Sequence, residues 1–378
     1  MRRAAVVVID ACGAGALPDA ADYGDAGTNT LAHLAEAVDG LDLPVLGALG
    51  LGSILPLRGV APSAAPVVHG RLAAQGYGKD STAGHWELMG VVAQAPAPAY
   101  PAGVPAHVLR ALEAATGHRF VCHRPANGVT VLDEYGAEHL RSGALILYTS
   151  QDSVLQLAAH VDLVPPDDLY AACTAARTVV DVGRVIARPF TGEPGAFRRT
   201  EGRRDYALAP PRSYLDALRD AGVAVHAVGK VSDLFAGRGI DRGHPGATNA
   251  AALASTGRLL RELEHGLIFT NLVETDQVYG HRKDAAGFHR ALREIDAEVG
   301  RWLAWLRRDD LLIITADHGC DPAAGHTDHT REHVPLLAAV QPDRPGGRHD
   351  GALADVGATV HRWLTGGDAV GLPGRAFA

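Results

Sequence analysis

Three apolar runs constrain the fold of this chain more than any other feature. Residues 6–9 and 311–314 are continuous rather than alternating, and all three runs lead to an aspartate. Residues 6–9 end at Asp10, residues 266–273 are followed by Asp276, and residues 311–315 lead to Asp317. An uninterrupted apolar run suits a strand covered on both faces, the habit of parallel sheets flanked by helices. Ala- and Leu-rich helical stretches separate the runs, so the pattern predicts an α/β fold with a mostly parallel sheet. Ligands of such sheets bind at the carboxyl ends of the strands, where all three aspartates fall.

Imidazoles gather at the same places. His281 follows Asp276, His318 directly follows Asp317, and His329 lies further on in Gly-His-Thr-Asp-His-Thr. His326, in the same loop, is the rival to His329 as a ligand. Three aspartates and three histidines divide into two sets of three, enough for a two-metal centre. Carboxylate and imidazole ligands suit Mn, Mg or Zn. Ser81, in Gly-Lys-Asp-Ser-Thr-Ala-Gly-His-Trp-Glu, supplies a hydroxyl. A serine is a weak nucleophile without a base or a metal, and the chain has no Gly-x-Ser-x-Gly elbow, which disfavours a Ser-His-Asp hydrolase. Paired divalent ions activate a hydroxyl and balance phosphate charge. Three carboxylates facing two dications leave a positive site, which favours a phosphate ester.

Composition excludes several classes. The net charge of −8 and aromatic content of 5% argue against nucleic-acid binding. No apolar stretch reaches the roughly 20 residues that span a bilayer, so no membrane partner is expected. The short apolar run after Met-Arg-Arg ends in Asp10 without a cleavage site, so it reads as a core strand rather than a signal peptide, and a cytoplasmic protein is expected. The cysteines at 12, 122, 173 and 320 show no paired spacing and read as free thiols. Only Lys79, Lys230 and Lys283 are lysines, and each neighbours a candidate site segment.

At 378 residues the chain exceeds a single core. The Pro- and Ala-rich stretch 93–101 and Pro210-Pro211 mark hinges. They predict a smaller α/β cap domain, residues 96–212, inserted into a core of residues 1–95 and 213–378. The cap carries the strongest basic cluster, Arg198-Arg-Thr-Glu-Gly-Arg-Arg-Asp205, which spacing alone leaves open between a phosphate site and a solvated loop.

Taken together, these segments resemble the prokaryotic phosphopentomutases of the alkaline phosphatase superfamily, over essentially the whole length. The shared motifs are Val-Ile-Asp10, Pro18-Asp-Ala, the Ser81 segment, Leu147-Tyr-Thr-Ser-Gln-Asp-Ser-Val-Leu-Gln156, Gly183-Arg-Val-Ile-Ala-Arg-Pro-Phe190, Asp205-Tyr-Ala-Leu, Asn271-Leu-Val, Gly280-His-Arg, Thr315-Ala-Asp-His-Gly and Thr327-Asp-His-Thr-Arg-Glu332. The resemblance implies an alkaline phosphatase-like core and an isomerase-class phosphotransferase. It implies two Mn ions, one on Asp10, Asp317, His318 and the nucleophile, the other on Asp276, His281 and His329. Ribose 1-phosphate and ribose 5-phosphate, or their 2-deoxy forms, would interconvert through a phosphorylated Ser81 and a pentose 1,5-bisphosphate, which also serves as activator. Asp152, Arg184, Arg199 and Lys230 match positions that hold the sugar and its distal phosphate. The expected partners are small pentose phosphates, with the protein a monomer. The family commonly has threonine where Ser81 stands, whereas the related cofactor-independent phosphoglycerate mutases share Ser-x-x-Gly-His, matching Ser81, Gly84 and His85. Two rival readings remain: a metal-dependent phosphomonoesterase or phosphodiesterase of the same superfamily, and a non-catalytic phosphosugar-binding protein.

Overall fold

The computed structural model describes residues 2–128, 130–150, 153–340 and 346–378. The chain divides into two compact units, Met1–Ala95 with Pro210–Ala378, and Pro96–Ala209.

The first unit is built on an eight-stranded sheet. In spatial order its strands are Arg242–His244, Val225–Val228, Gly266–Leu272, Arg3–Ile9, Asp310–Thr315, Val334–Ala339, Val68–Ala73 and Gly351–Ala352. All run in one direction except Val334–Ala339, which is antiparallel to both neighbours. Every residue of the three central strands is buried, which is why they are so largely apolar. Arg3 begins the middle strand yet is 1% exposed, because its guanidinium pairs with Asp310 on the next strand. Removing one partner of a buried pair costs about 3–5 kcal/mol, so this pair pins the starts of adjacent strands.

Helices cover the sheet. Ala285–Leu303 turns Phe288, Leu292, Ile295, Val299 and Trp302 inward at helical spacing. Burying such a side chain is worth about 1.5–3 kcal/mol. The same helix caps another: Asp296 Oδ1 accepts from the Leu46 backbone at 2.7 Å, and Oδ2 from Val45 at 3.2 Å. The helix Pro44–Leu49 has no side-chain cap of its own, so Asp296 satisfies its free amides.

Register decides what happens at the carboxyl edge. Ile9 lies opposite Leu272, and Val8 opposite Thr315. Neighbouring strands are about 4.8 Å apart, so the three segments that follow leave the sheet side by side.

The second unit has its own six-stranded sheet, with strands Phe120–Pro125, Leu145–Thr149, Val154–His160, Arg184–Thr191 and Arg198–Arg199 in order, and Arg204–Ala207 pairing with Arg184–Thr191. Alternating residues send Leu145, Leu147, Leu155 and Leu157 to one apolar cluster, and Ile146, Tyr148 and Ala158 to another on the opposite face. This unit therefore owns a core.

Candidate metal centre

The centre forms where the central strands of the first unit end. Asp10 directly follows Arg3–Ile9 and is fully buried. Ala11 then takes a φ of 63°, a left-handed turn that residues with a Cβ seldom adopt. The turn aims the Ala11 amide at Asp317 Oδ1, 3.2 Å away. Asp276 sits in the π-turn Thr275–Tyr279, and His281 in the 3-10 turn Gly280–Arg282 that succeeds it. Single π-turns concentrate at functional sites. His329 returns on a loop fastened by reciprocal Gly319 and Thr330 backbone bonds of 3.1 and 2.7 Å.

These side chains converge. His281 Nε2 and His329 Nε2 each lie 3.4 Å from Asp276 Oδ1. His318 Nε2 lies 3.3 Å from Asp10 Oδ1 and 3.5 Å from Asp317 Oδ2. Two groups have ligand atoms within 4.8 Å of one another: Asp276, His281 and His329, and Asp10, Asp276 and His318. The first is the set expected from the sequence. In the second, Asp276 takes the place expected for Asp317, which borders the group through its contact with His318. Asp276 thus stands between the two.

Three observations fit this donor set to divalent cations. Asp276 Oδ1, Asp317 Oδ2 and His329 Nε2 are buried with no hydrogen-bond partner among the described residues, although each has an oppositely charged or imidazole neighbour in ion-pair range. Leaving such atoms unsatisfied costs about 1–3 kcal/mol each, and a cation would relieve it. Next, His281 Nδ1 lies 2.7 Å from the Thr327 carbonyl, and His318 Nδ1 lies 3.0 Å from the Gly319 carbonyl. A carbonyl only accepts, so Nδ1 carries a proton and Nε2 is the ring atom turned to the cluster, as in ligand histidines. Lastly, the carboxylates draw in positive charge. Burial disfavours a charged His318, but Asp317 and Asp10 outweigh it and raise the imidazole to about 10. The bond to Asp276 raises His281 to about 9. Burial and the Asp317 charge push Asp10 upward. Protons thus supply, in the protein alone, positive charge that a metal would bring.

The hydroxyl is delivered by the helix Ser81–Leu88, whose first turn is capped by Asp80 accepting from the Ala83 amide at 3.0 Å. Ser81 Oγ donates to Asp10 Oδ1 at 3.2 Å and lies 3.1 Å from His318 Nε2. Gly84 explains how the helix comes so near. A Cβ there would meet Asp317 O at 2.4 Å and Asp317 Cβ at 2.7 Å, so only glycine allows the approach.

Other expected residues lie elsewhere. Lys230 precedes the short helix Val231–Leu234 in the first unit, and no hydrogen bond or ion pair engages its ammonium group among the described residues. Arg184 and Arg199 belong to the second unit. Arg184 and Phe190 point to the same sheet face, and Arg199 is opposite Phe190, so both arginines address that face from its two ends. Arg188 lies between them on that face, where Arg188 and Arg199 flank the buried Tyr148 hydroxyl. Asp152 lies outside the described residues.

Sequence reasoning assigned no role to the supports around the centre, although Asn271 and His85 lie in the shared motifs. Asn271, His85 and Asp25 are buried polar residues touching site segments. Asn271 had a readable signal: it is an amide inside an otherwise apolar strand. Lys79, two residues before Ser81, pairs with Asp25 at 3.0 Å, and His326 Nε2 reaches Asp25 Oδ1 at 3.0 Å. His326 is thereby a loop anchor, outside both ligand groups. Burial pushes the Cys320 thiol up to about 12 and Cys12 higher still, so both stay protonated thiols.

Known proteins agree with this architecture. The model of the metalloenzyme superfamily matches residues 2–365. The phosphopentomutase of Anaeromyxobacter dehalogenans (strain 2CP-1) is 48% identical over 96% of this chain and 95% of that protein. The phosphopentomutase of Caldanaerobacter subterraneus subsp. tengcongensis is 45% identical over 95% of this chain and 93% of its own length. That of Desulfitobacterium hafniense (strain DCB-2) is 44% identical over 100% and 99%. Identity at this level along nearly the whole chain places it, together with the converging aspartates and histidines, in the phosphopentomutase family of the metalloenzyme superfamily.

Proposed function

We propose that this enzyme, an intramolecular phosphotransferase by its family, interconverts ribose 1-phosphate and ribose 5-phosphate, and their 2-deoxy forms, with Ser81 carrying the phosphoryl group. The observation that carries the reading is the Ser81 hydroxyl, held within 3.2 Å of Asp10 Oδ1 and 3.1 Å of His318 Nε2 at the edge of the ligand groups. A bare binding protein has no use for a hydroxyl there.

In this reading Asp10, Asp317, His318 and Ser81 hold one Mn ion and Asp276, His281 and His329 the other. Divalent ions held by these residues would lower the pKa of the serine hydroxyl and neutralise charge on the phosphoryl oxygens. Ser81 presents its oxygen from the first turn of a capped helix, whose positive end favours a phosphate. The phosphorylated serine gives its group to a pentose monophosphate, forming a pentose 1,5-bisphosphate. The bisphosphate then returns its other phosphate to Ser81, and the isomer leaves. Phosphate count on protein and sugar is conserved throughout, so a trace of sugar bisphosphate primes enzyme that has lost its phosphoryl group. Asp152, Arg184, Arg199 and Lys230 are proposed to take the sugar and its distal phosphate. A guanidinium matches phosphate with two parallel hydrogen bonds, and the Lys230 ammonium has no partner to give up among the described residues.

The test is phosphorus NMR of the purified protein with Mn, ribose 5-phosphate and a trace of sugar bisphosphate. The two monophosphates should equilibrate with little inorganic phosphate. Inorganic phosphate as the main product would show that water is the acceptor, as in the phosphatase reading.

A further inference from the structure

Behind the carboxylates lies a buried chain of hydrogen bonds that the proposed mechanism does not use. Asn271, in the Gly266–Leu272 strand, is fully buried. Its Nδ2 donates to Asp10 Oδ2 at 2.9 Å and lies 3.3 Å from His85 Nε2. His85, on the Ser81 helix and also fully buried, has its Nδ1 2.9 Å from the Ser81 carbonyl and 3.1 Å from Asp317 Oδ2. The chain of hydrogen bonds therefore runs Asp10, Asn271, His85 and the backbone of Ser81, with Asp317 Oδ2 in ion-pair range of the His85 ring.

Donor logic fixes every proton in it. Turning the Asn271 amide over would set its oxygen against the Asp10 carboxylate, so Nδ2 is the atom that faces Asp10. An amide nitrogen only donates, so His85 Nε2 must accept. A neutral ring that accepts at Nε2 carries its proton at Nδ1, and that proton goes to the Ser81 carbonyl, with Asp317 Oδ2 in ion-pair range of the same nitrogen. Asn271 Oδ1 is left buried without a hydrogen-bond partner among the described residues. A side chain placed only to satisfy its own polarity would not leave that acceptor bare.

We infer that Asn271 and His85 are positioning residues, which lock the Ser81 turn to the Asp10 and Asp317 carboxylates through a His85 ring held as the Nδ1–H tautomer. This rests on the reading of Ser81 as the phosphoryl carrier. Neither residue touches substrate. They act by fixing the distance between the hydroxyl and the carboxylates that hold its metal. Supporting residues of this kind change metal affinity or activity by about 10–100-fold.

Nitrogen-15 NMR of the metal-free protein, labelled at histidine, reads the ring directly. His85 should show a protonated Nδ1 and a bare Nε2; a protonated Nε2 would overturn the inference whatever the variants do. Variants then test the consequence. An asparagine places its amide near the position of Nδ1, a glutamine nearer Nε2. His85→Asn should therefore keep more of the rate of phosphoryl transfer from a sugar bisphosphate to the protein than His85→Gln. A space-filling role predicts the reverse order, since glutamine is closer in volume. Asn271→Leu should slow the transfer about 10–100-fold and weaken Mn binding measured calorimetrically on the metal-free protein. Wild-type transfer and Mn affinity in Asn271→Leu would sink the inference while leaving Ser81 in place. Absence of any phosphoryl transfer to wild-type protein would instead remove the Ser81 reading.

Discussion

Gly84→Ala isolates how closely the nucleophile helix must approach the sheet. The added Cβ would stand 2.4 Å from Asp317 O, 2.7 Å from Asp317 Cβ and 2.8 Å from Asp317 C. Carbon–oxygen contacts settle at about 3.3–3.6 Å, so the helix or the Asp317 segment must move by roughly 1 Å. The obstacle is backbone and Cβ, which cannot swing aside like the end of a long side chain. Overpacking of this kind costs about 1–3 kcal/mol, and alanine returns about 1 kcal/mol in helix propensity. The net loss of stability is therefore small, about 0–2 kcal/mol by these two terms. Activity is another matter. Ser81 stands three residues earlier on the same helix, and a 1 Å misplacement of a reacting group can slow a reaction about 100-fold. We expect a melting temperature within a few degrees of wild type, together with a fall of about two orders of magnitude in the mutase rate. Urea denaturation and a coupled isomerisation assay on the same preparation measure both. Wild-type activity in a folded Gly84→Ala protein would refute the claim that this approach sets the hydroxyl.

Three further outcomes are expected. Asp276→Asn or His329→Ala should lower bound metal and activity together, as read by elemental analysis after gel filtration; Asp276 should be the more damaging, because it borders both ligand groups. His326→Ala should leave metal content intact but lower stability by about 1 kcal/mol or less, since its bond to Asp25 is made by an imidazole 36% exposed; loss of metal would return His326 to the ligand set. Arg199→Ala and Lys230→Ala should weaken pentose phosphate handling about 10–100-fold, each deleting a charge-assisted bond worth about 1.5–3 kcal/mol, with metal content unchanged; normal steady-state kinetics in both would mean that the distal phosphate docks elsewhere.

The α/β architecture was legible because burial on both faces writes itself into sequence as unbroken apolar runs, and the aspartates after those runs were visible as their terminators. Sheet order was not. Nothing local in residues 3–9 says that Gly266–Leu272 and Asp310–Thr315 are their two neighbours, and it is that placement, with Ile9 opposite Leu272 and Val8 opposite Thr315, that brings Asp10, Asp276 and Asp317 together. The cysteines at 12 and 320, close in sequence to site residues, prove to be buried apolar-like thiols. The three lysines all neighbour site segments, as the sequence suggested, yet Lys79 is taken up by Asp25 and Lys283 by the Ala324 carbonyl. Contacts of Asn271 with Asp10 and His85 join segments 261 and 186 residues apart, and spacing along the chain carries no trace of them. Gly84 lies between these cases. Its place in Ser-x-x-Gly-His was conspicuous, but the reason for it, the Asp317 backbone beside it, appears only in three dimensions.

The account turns on which atom carries the phosphoryl group, and Ser81 and Thr82 are adjacent hydroxyls. Ser81 Oγ is bonded to Asp10, whereas no hydrogen bond of the Thr82 hydroxyl to the ligand groups occurs among the described residues. Peptide mapping by mass spectrometry of protein incubated with Mn and a sugar bisphosphate decides between them. The account predicts phosphate on Ser81, its loss in Ser81→Ala together with mutase activity, its substantial retention in Ser81→Thr, and little change in Thr82→Ala. Phosphate on Thr82, or full mutase activity in Ser81→Ala, would contradict it.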